Sequence, residues 1–349
     1  MGGAPIEREG RIRYSKRMNT RSRISLVLSL SLFASGAFLS SCSINRLATR
    51  ALADSLSGGG AGSTAGSFAS DDDPILVGEA LPFALKMYET LLESAPDHVP
   101  LAVTTGSICV MYANAFVEHP AHLLADDDLR ASRLGLLRAK KFYLRGLSYL
   151  ERAAALRMKG WENIKADTDA RAAALGSLDK RDGDLLYWYA ASLLSAWALD
   201  PMDMALALRT AEARAVLERA AAIDPDYGEG SLDEIFLSLY ASLPAELGGS
   251  REKALACYDA ALAKSGGHAP GAMISLANLM IAEQDYPRFK EALEGVLALD
   301  PASRTDKRLV TILAQEKAAF LLDRAELLFW DLGDSGDDDW NEEEDMGEY

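Results

Sequence analysis

The sequence predicts an all-α protein built from stacked helical hairpins, an α-solenoid-like architecture. Alanine and leucine dominate and β-branched residues are sparse, a composition that favours helices over strands. Apolar residues recur at the i, i+4, i+7 spacing of an amphipathic helix, as at Tyr143, Leu147 and Leu150. Asp-Pro pairs punctuate these apolar stretches, which is typical of helices that end abruptly.

An export signal is predicted over residues 1–41. Arg21 and Arg23 precede an apolar run at 24–39, which is shorter than the roughly 20 residues of a membrane-spanning helix. Because residues 18–41 already contain every part of a signal, Met18 is a candidate for the true start. A basic segment followed by a short apolar run therefore indicates that the remainder of the chain is exported.

The apolar run ends in Leu39-Ser40-Ser41-Cys42, which resembles the lipobox of bacterial lipoproteins. In signals of that kind the cysteine becomes the lipidated first residue of the mature chain. The resemblance implies that acyl chains on Cys42 anchor the protein to the cell membrane or the outer membrane, facing the periplasm. A plain signal peptide with an incidental cysteine is the alternative.

Three further regions follow the signal. Residues 42–73 are predicted to be the lipidated N-terminus and a flexible tether, because 57–70 are rich in Gly, Ser and Ala. Residues 74–330 are predicted to form the helical domain. Residues 331–349 are predicted to be a disordered tail, with ten acidic and no basic residues. The formal net charge of −16 and the lack of a dominant basic patch exclude nucleic acid as the expected partner.

Helices are predicted throughout the domain from the spacing of the apolar residues. A first helix starts at Pro74 and ends before Pro96. The others are predicted at residues 102–116, 129–158, 184–199, 205–222, 232–243, 251–264, 272–283, 287–299 and 309–329.

The helices are predicted to pack in pairs that end alike. Pro96, Pro225 and Pro301 each follow a helix that carries a stripe of small and large apolar residues. That spacing resembles a degenerate tetratricopeptide repeat, in which small residues let paired helices approach and large residues fill the next groove. An unrelated α-helical bundle is the alternative, since the repeat period is irregular.

Chemistry that would indicate an enzyme is missing from the sequence. His119 and His122 are three residues apart, but Pro120 lies between them and zinc needs further ligands. Cys109 and Cys257 lie within apolar helical patterns and are expected to be free thiols, with a disulfide between them as the alternative. We therefore expect no metal, no cofactor and no catalytic site.

Four aromatic residues form the densest aromatic group, Tyr187, Trp188, Tyr189 and Trp197. Successive residues of a helix point about 100° apart, so these side chains do not all face one way. An inter-helix core is the plain interpretation. The alternative is that some of them line a channel for an apolar ligand.

One predicted helix, over residues 129–159, carries nine basic residues and a single acid, Glu151. Four of the basic residues fall on one face, opposite the apolar stripe. A solvated face paired to acidic neighbours is the plain interpretation. The alternative is a docking surface for an acidic partner or for lipid headgroups, made by Arg138, Lys141, Arg145 and Arg152.

The order of several short blocks resembles the TatT family, the tetratricopeptide-repeat lipoproteins associated with TRAP (tripartite ATP-independent periplasmic) transporters in spirochaetes. The blocks are Leu186-Tyr187-Trp188-Tyr189, Trp197, Asp226-Tyr227-Gly228-Glu229-Gly230, Gly248-Gly249-Ser250-Arg251-Glu252-Lys253-Ala254, Gln284-Asp285, Phe289, Val296-Leu297-Ala298-Leu299-Asp300-Pro301 and Ala325-Glu326-Leu327-Leu328-Phe329. The likeness spans about residues 75–330.

That resemblance implies a homotrimer that acts as a partner of the periplasmic solute-binding subunit of a TRAP transporter. It also implies a hole through each protomer that takes a hydrophobic small ligand. The alternative function is a general cell-envelope assembly adaptor that binds peptide segments of other proteins.

Overall fold

The computed structural model describes residues 51–56, 64–124, 128–161 and 168–333. The predicted signal, Cys42 and residues 334–349 of the predicted tail lie outside these ranges. Within them the chain is helical and contains no β-strand, so the predicted all-α class is confirmed.

Ten longer helices form the body of the protein. They are α1 (Pro74–Ser94), α2 (Val99–Ala113), α3 (Leu129–Arg157), α4 (Gly183–Ala198), α5 (Thr210–Ile223), α6 (Ser231–Ser242), α7 (Arg251–Ser265), α8 (Pro270–Glu283), α9 (Tyr286–Leu297) and α10 (Arg308–Asp323). Short helices occur at Thr64–Ala69, Thr168–Gly176, Met204–Ala207, Ala325–Leu328 and Trp330–Gly333, and residues 51–56 are also helical.

Side-chain caps explain where several helices start. The Asp73 carboxylate accepts from the backbone N–H groups of Ile75 and Leu76, both at 3.0 Å, with Pro74 in the first turn. The predicted stops are also found, since α5 ends just before Asp224 and α9 ends before Asp300. Capping side chains and Asp-Pro pairs therefore set most of the helix ends.

Three predicted elements differ from the structure. The helix predicted at 205–222 is divided into Met204–Ala207 and α5, because the Asp203 side chain caps the short first piece and the chain breaks at Arg209. The helix predicted at 309–329 ends at Asp323 and resumes at Ala325. By contrast, α2 continues through a π-helical segment, Asn114–Glu118, into His119–Leu123.

The described part of the predicted tether is helical rather than a uniform coil. Ala53 is fully buried, and the Tyr88 hydroxyl donates to the Leu56 carbonyl at 3.0 Å. A ring nitrogen of His98 lies 2.9 Å from the Asp54 carboxylate. These contacts tie residues 51–56 to α1 and to the start of α2. Residues 51–56 are therefore held against the helical body.

Helices that follow one another in the sequence pack against one another, as a solenoid-like fold requires. Pairs form between α1 and α2, α2 and α3, α3 and α4, α4 and α5, α6 and α7, and α8 and α9. Two apolar cores result. The first contains the fully buried Tyr88, Tyr143 and Tyr189, and the second contains Met280 and Phe289.

The last long helix returns to the start of the domain. Helix α10 contacts α1 and Thr64–Ala69 as well as its neighbours α8 and α9. The Arg308 guanidinium lies 3.5 Å from the Ser70 carbonyl and 4.0 Å from the Asp72 carboxylate. The last long helix therefore packs against the start of the domain as well as against its neighbours in the sequence.

The structure shows the surroundings of the two cysteines and of one long apolar stretch. Cys109 is buried, Cys257 is half-buried, and both are free thiols. Residues Val99–Leu123 are long and apolar enough to cross a membrane by length and composition, yet more than half of that stretch is buried within the protein. Its apolar character is therefore that of a core helix.

Candidate functional site

The predicted aromatic group divides between two sides of α4. Tyr187 and Trp188 are half-buried, whereas Tyr189 is only 1% exposed. The Tyr189 hydroxyl contacts the carboxylate of Glu212 and lies 2.7 Å from the Arg209 guanidinium. Its ring also packs edge-on against Trp161 at 5.1 Å. Tyr189 therefore belongs to the packed core rather than to the lining of a channel.

Arg209 completes a buried charge network beneath Tyr189. Its guanidinium lies 2.8 Å from the carboxylates of both Glu151 and Glu212. Glu212 is 1% exposed, so its charge depends on this ion pair for stabilisation. Burial alone would lower the pKa of Arg209, but the bonds to Glu212, Tyr189 and Glu151 raise it. The break in the helix before α5 places Arg209 in this position.

Three half-buried rings, Tyr187, Trp188 and Tyr227, form what we call the aromatic corner. The centres of the Tyr187 and Trp188 rings are 4.9 Å apart, and the two ring planes are nearly perpendicular, at 83°. The centre of the Tyr227 ring lies 5.3 Å from that of Tyr187, with the two ring planes at 39°. The Tyr227 hydroxyl donates to the Asp184 carboxylate at 2.6 Å. Two tilted ring faces therefore meet beside a carboxylate at the first turns of α4.

Glu234 on α6 adds a second carboxylate to this region. It lies close enough to Tyr187 that its charge, together with burial, raises the pKa of the Tyr187 hydroxyl. Its carboxylate rests on the backbone of Gly271, where an added Cβ would stand only 2.0 Å from Oε1. Burial raises the pKa of Glu234 to about 7, opposed by the more distant Lys307. Among the described residues it has no hydrogen bond or ion pair.

Trp197 stands apart from the aromatic corner. It is half-buried against the first apolar core, near the end of α4. Its indole N–H is buried and finds no acceptor among the described residues. The structure thus brings Tyr187 and Trp188 together and leaves Tyr189 and Trp197 in other surroundings.

The predicted basic face of α3 is largely occupied by contacts within the protein. The Arg138 guanidinium lies 5.2 Å from the centre of the Phe142 ring and donates to the Tyr112 hydroxyl at 3.1 Å. Arg152 donates to the Pro96 carbonyl at 3.0 and 2.6 Å. Lys141 is exposed and has no hydrogen bond or ion pair within the described residues.

Arg145 is paired with Glu89 of α1. Burial alone would raise the pKa of Glu89, but hydrogen bonds from Lys86, Tyr149 and Arg145 outweigh it and hold the pKa below its usual range. The Tyr149 hydroxyl and Lys86 ammonium each lie 2.9 Å from Glu89. A cleft of about 370 Å³ runs over this cluster. On α3 the paired interpretation therefore fits Arg145, whereas Lys141, like Arg130 and Arg133, has no ion pair among the described residues.

The two histidines do not form a metal centre in the described structure. Burial lowers the pKa of His119 to about 4, so the ring is neutral at physiological pH. Its Nε2 lies 3.9 Å from Glu316, and His122 Nε2 lies 3.5 Å from Glu118. No group of three metal-binding side chains occurs among the described residues.

Sequence reasoning missed the residues that complete the aromatic corner, namely Tyr227, Asp184 and Glu234. Asp184 lies in the first turn of α4 itself, whereas Tyr227 and Glu234 come from other elements and are brought to α4 only by the tertiary packing. A local signal exists in the two glycines that make room for them. A Cβ on Gly183 would meet the Tyr227 ring at 3.0 Å, and Gly271 accommodates the Glu234 carboxylate.

Comparison with known proteins identifies the family. The sequence model of the family described as TRAP transporter T-component matches residues 70–329. The chain belongs to the TRAP transporter T-component family. The match covers every helix from α1 to Ala325–Leu328, and it confirms the family that the sequence resembles.

A relative of this T-component comes from Treponema pallidum (strain Nichols) and is described as an uncharacterized protein. The two are 32% identical over 311 residues, which cover 86% of this chain and 96% of the relative. Membership of the T-component family assigns the chain a TRAP-associated accessory role in transport, and that family is not one of enzymes.

Proposed function

We propose that this T-component is a lipid-anchored periplasmic accessory subunit that scaffolds the solute-binding subunit of a TRAP transporter. In this proposal it acts as a homotrimer and passes an apolar ligand through the interior of each protomer. The observation that carries the proposal is the family match over residues 70–329, which includes every long helix. A stack of helices of this length offers an extended surface on which a partner protein can dock.

The outer surface of α3 supports a docking role. Leu137 and Leu144 are 52% and 38% exposed, and they lie one heptad apart on the side of α3 that carries Lys141. An apolar stripe beside a free ammonium group suits a partner with apolar and acidic residues at its contact surface. Lys140 is held away from such a partner because it pairs with Asp200 and Asp203 at 2.7 and 2.9 Å.

The aromatic corner supports the passage of a ligand. Large aromatic side chains in a packed core are almost wholly buried, as Tyr88 and Tyr143 are here. Tyr187, Trp188 and Tyr227 instead keep part of their surface accessible although burial raises the pKa of both Tyr187 and Tyr227. Rings in such positions are suited to line a path for an apolar molecule.

Affinity purification of the full chain from its own membranes tests the scaffold role. A cross-linked sample from the wild type is expected to be enriched in the TRAP solute-binding subunit, quantified by mass spectrometry. Lys141→Glu should reduce that enrichment several-fold because it reverses an unpaired charge beside the exposed Leu137 and Leu144. Lys290→Glu on α9, a matched charge reversal at an exposed position, should leave it unchanged.

Two results would contradict the proposal. One is enrichment of several unrelated envelope proteins without the solute-binding subunit, which would favour the assembly-adaptor alternative. The other is an equal loss of enrichment in both variants, which would show that no specific surface on α3 takes part.

The membrane anchor is tested separately, since Cys42 lies outside the described residues. Cys42→Ala should release the protein from membranes or stall its processing. Partitioning of the wild type and the variant between detergent and water phases measures this. Equal partitioning of both into detergent would contradict the lipobox interpretation.

A further inference from the structure

A cleft lies between α1 and α3, beside the basic face of α3. Its volume of about 370 Å³ is within the range of sites that bind small groups. The charged and polar side chains on its walls are Lys86, Glu89 and Glu93 of α1 and Arg145, Tyr149 and Arg152 of α3. We call this feature the α1–α3 cleft. It combines open space with charged side chains at the surface of the protein.

Glu89 is the buried acid of the α1–α3 cleft, and donors from both helices surround it. The Lys86 ammonium and the Tyr149 hydroxyl each lie 2.9 Å from its carboxylate, and the Arg145 guanidinium contacts it as well. The Glu89 side chain is only 10% exposed. These bonds join α1 to α3 and fix the walls of the cleft, so the charge of Glu89 is already satisfied within the protein.

Arg152 is held in a fixed orientation without an acidic partner. Its Nε and Nη2 both donate to the Pro96 carbonyl oxygen, at 3.0 and 2.6 Å. It forms no ion pair in the part of the chain that the structure describes. A guanidinium has further N–H groups beyond these two, arranged in a planar fork that matches a carboxylate. Arg152 therefore presents an oriented positive charge on the wall of an open cleft.

The cleft carries a positive charge in excess although the chain as a whole is acidic. Its three basic side chains outnumber the two carboxylates, Glu89 and Glu93, whereas the formal net charge of the chain is −16. An acidic ligand is therefore repelled by most of the protein surface and attracted where basic groups are in local excess. Glu93 is exposed and has no ion pair among the described residues, so it opposes such a ligand at the edge of the cleft.

The α1–α3 cleft continues the surface of α3 that we propose for docking. Lys141, Arg145 and Arg152 are spaced four and seven residues apart, which places them along one face of the helix. The exposed Leu137 and Leu144 lie beside that face. A protein that covers these leucines is therefore positioned to place an acidic side chain in the cleft.

We propose that the α1–α3 cleft binds an acidic segment of the protein that docks on α3. One carboxylate of that segment pairs with Arg152 through the N–H groups that Pro96 leaves free, and Lys86 attracts a second. This inference rests on the proposed function, because it assigns part of the contact surface between this T-component and its partner. It adds that the partner contributes a short run of Asp or Glu residues.

Two labelled peptides test the charge requirement without the partner. Hexaglutamate and hexaglutamine have the same length and backbone, but only hexaglutamate is acidic. In fluorescence anisotropy titrations of the full mature chain at low ionic strength, hexaglutamate should bind at least tenfold more tightly. Its affinity should fall as salt is added, since the Debye length shortens to about 10 Å at 0.1 M.

Three substitutions locate the binding. Arg152→Gln should weaken hexaglutamate binding by about fivefold, and Glu93→Gln should strengthen it by about threefold because it removes the opposing charge. Arg133→Gln is the matched control, since Arg133 is an exposed and unpaired arginine of α3 that does not line the cleft. Thermal unfolding verifies that each variant is folded. Should Arg152→Gln fail to fold, the opposite effect expected of Glu93→Gln still decides the question.

Two results with the peptides would overturn this inference. One is equal affinity for the two peptides, or an equal loss of affinity in Arg152→Gln and Arg133→Gln. The other is at least tenfold tighter binding of hexaglutamate after deletion of residues 334–349. That gain would show that the acidic end of the same chain occupies the cleft in place of a partner.

A titration with the purified solute-binding subunit separates this inference from the proposed function. Arg152→Gln should bind the subunit several-fold more weakly than the wild type does. If both bind it equally, the scaffold role stands and the assignment of the cleft is wrong. If the subunit binds neither protein while hexaglutamate still discriminates between them, the scaffold role fails and the cleft remains a site for acidic segments.

Discussion

The Glu234 carboxyl group offers a quantitative prediction about stability. The protein holds this group in surroundings that favour its neutral form, because burial raises its pKa from the ordinary 4.5 to about 7. Glutamine has the same shape and no charge. We therefore expect Glu234→Gln to stabilise the protein at alkaline pH and to change little at acid pH.

The sign and size follow from proton linkage. Since the folded-state pKa exceeds the unfolded value, the favourable contribution of Glu234 is present below pH 4.5 and is lost as the pH rises through 7. At about 1.36 kcal/mol per pKa unit, the loss approaches 3 kcal/mol at pH 8 and stays below about 1 kcal/mol at pH 5. Water has partial access to the Glu234 side chain. The expected increase in the unfolding free energy of Glu234→Gln at pH 8 is therefore about 2 kcal/mol.

Urea unfolding at pH 5 and pH 8 measures this effect. The free energy of unfolding of Glu234→Gln should exceed that of the wild type by about 2 kcal/mol at pH 8 and by much less at pH 5. Glu79→Gln is the control, because Glu79 is exposed on α1 and should show no such pH-dependent gain. A Glu234→Gln protein that is equally or less stable at pH 8 would refute the reasoning, since Glu234 would then have a stabilising partner as a carboxylate.

Three further predictions concern the core and the tail. Arg209→Met should lower the unfolding free energy by about 3–5 kcal/mol because Glu212 is left buried without its partner. Arg251→Met, at an exposed pair with Glu283, should lower it far less. Similar losses in the two variants would contradict the buried network. Trp161→Ala, at a 6% exposed ring, should lower it by about 3–5 kcal/mol, and Trp188→Ala clearly less. The reverse order would place Trp188 in the core. Deletion of residues 334–349 should leave the helical circular-dichroism signal and the Tm nearly unchanged, because an acidic segment with few apolar residues does not fold alone; a drop of several degrees would show that it docks.

The helices were predictable from local features of the sequence. Apolar spacing and Asp-Pro pairs predict α3 and α4 to within two residues of the structure. The break before α5 was not predicted. Arg209, in the turn between Met204–Ala207 and α5, pairs with Glu151 at 2.8 Å, and a contact between such distant parts of the sequence is not visible in periodicity.

The candidate site was predictable only in part. Tyr187 and Trp188 stand out in the sequence as a dense aromatic group, and the 100° step per residue separates them from Tyr189. Tyr227 and Glu234 do not stand out, because the pairing of α4 with α6 and the loop before it brings them there. The missing carboxylate partner at Glu234 is a property of the assembled interior, which no local pattern encodes.

The proposed binding of this T-component to the solute-binding subunit of a TRAP transporter can be measured directly. The experiment is analytical ultracentrifugation of the full mature chain mixed with that purified subunit from the same organism. We expect a complex of defined stoichiometry, sedimenting faster than either protein alone, whose formation is weakened by Lys141→Glu and not by Lys290→Glu. Independent sedimentation of the two proteins at tens of micromolar would contradict the scaffold role.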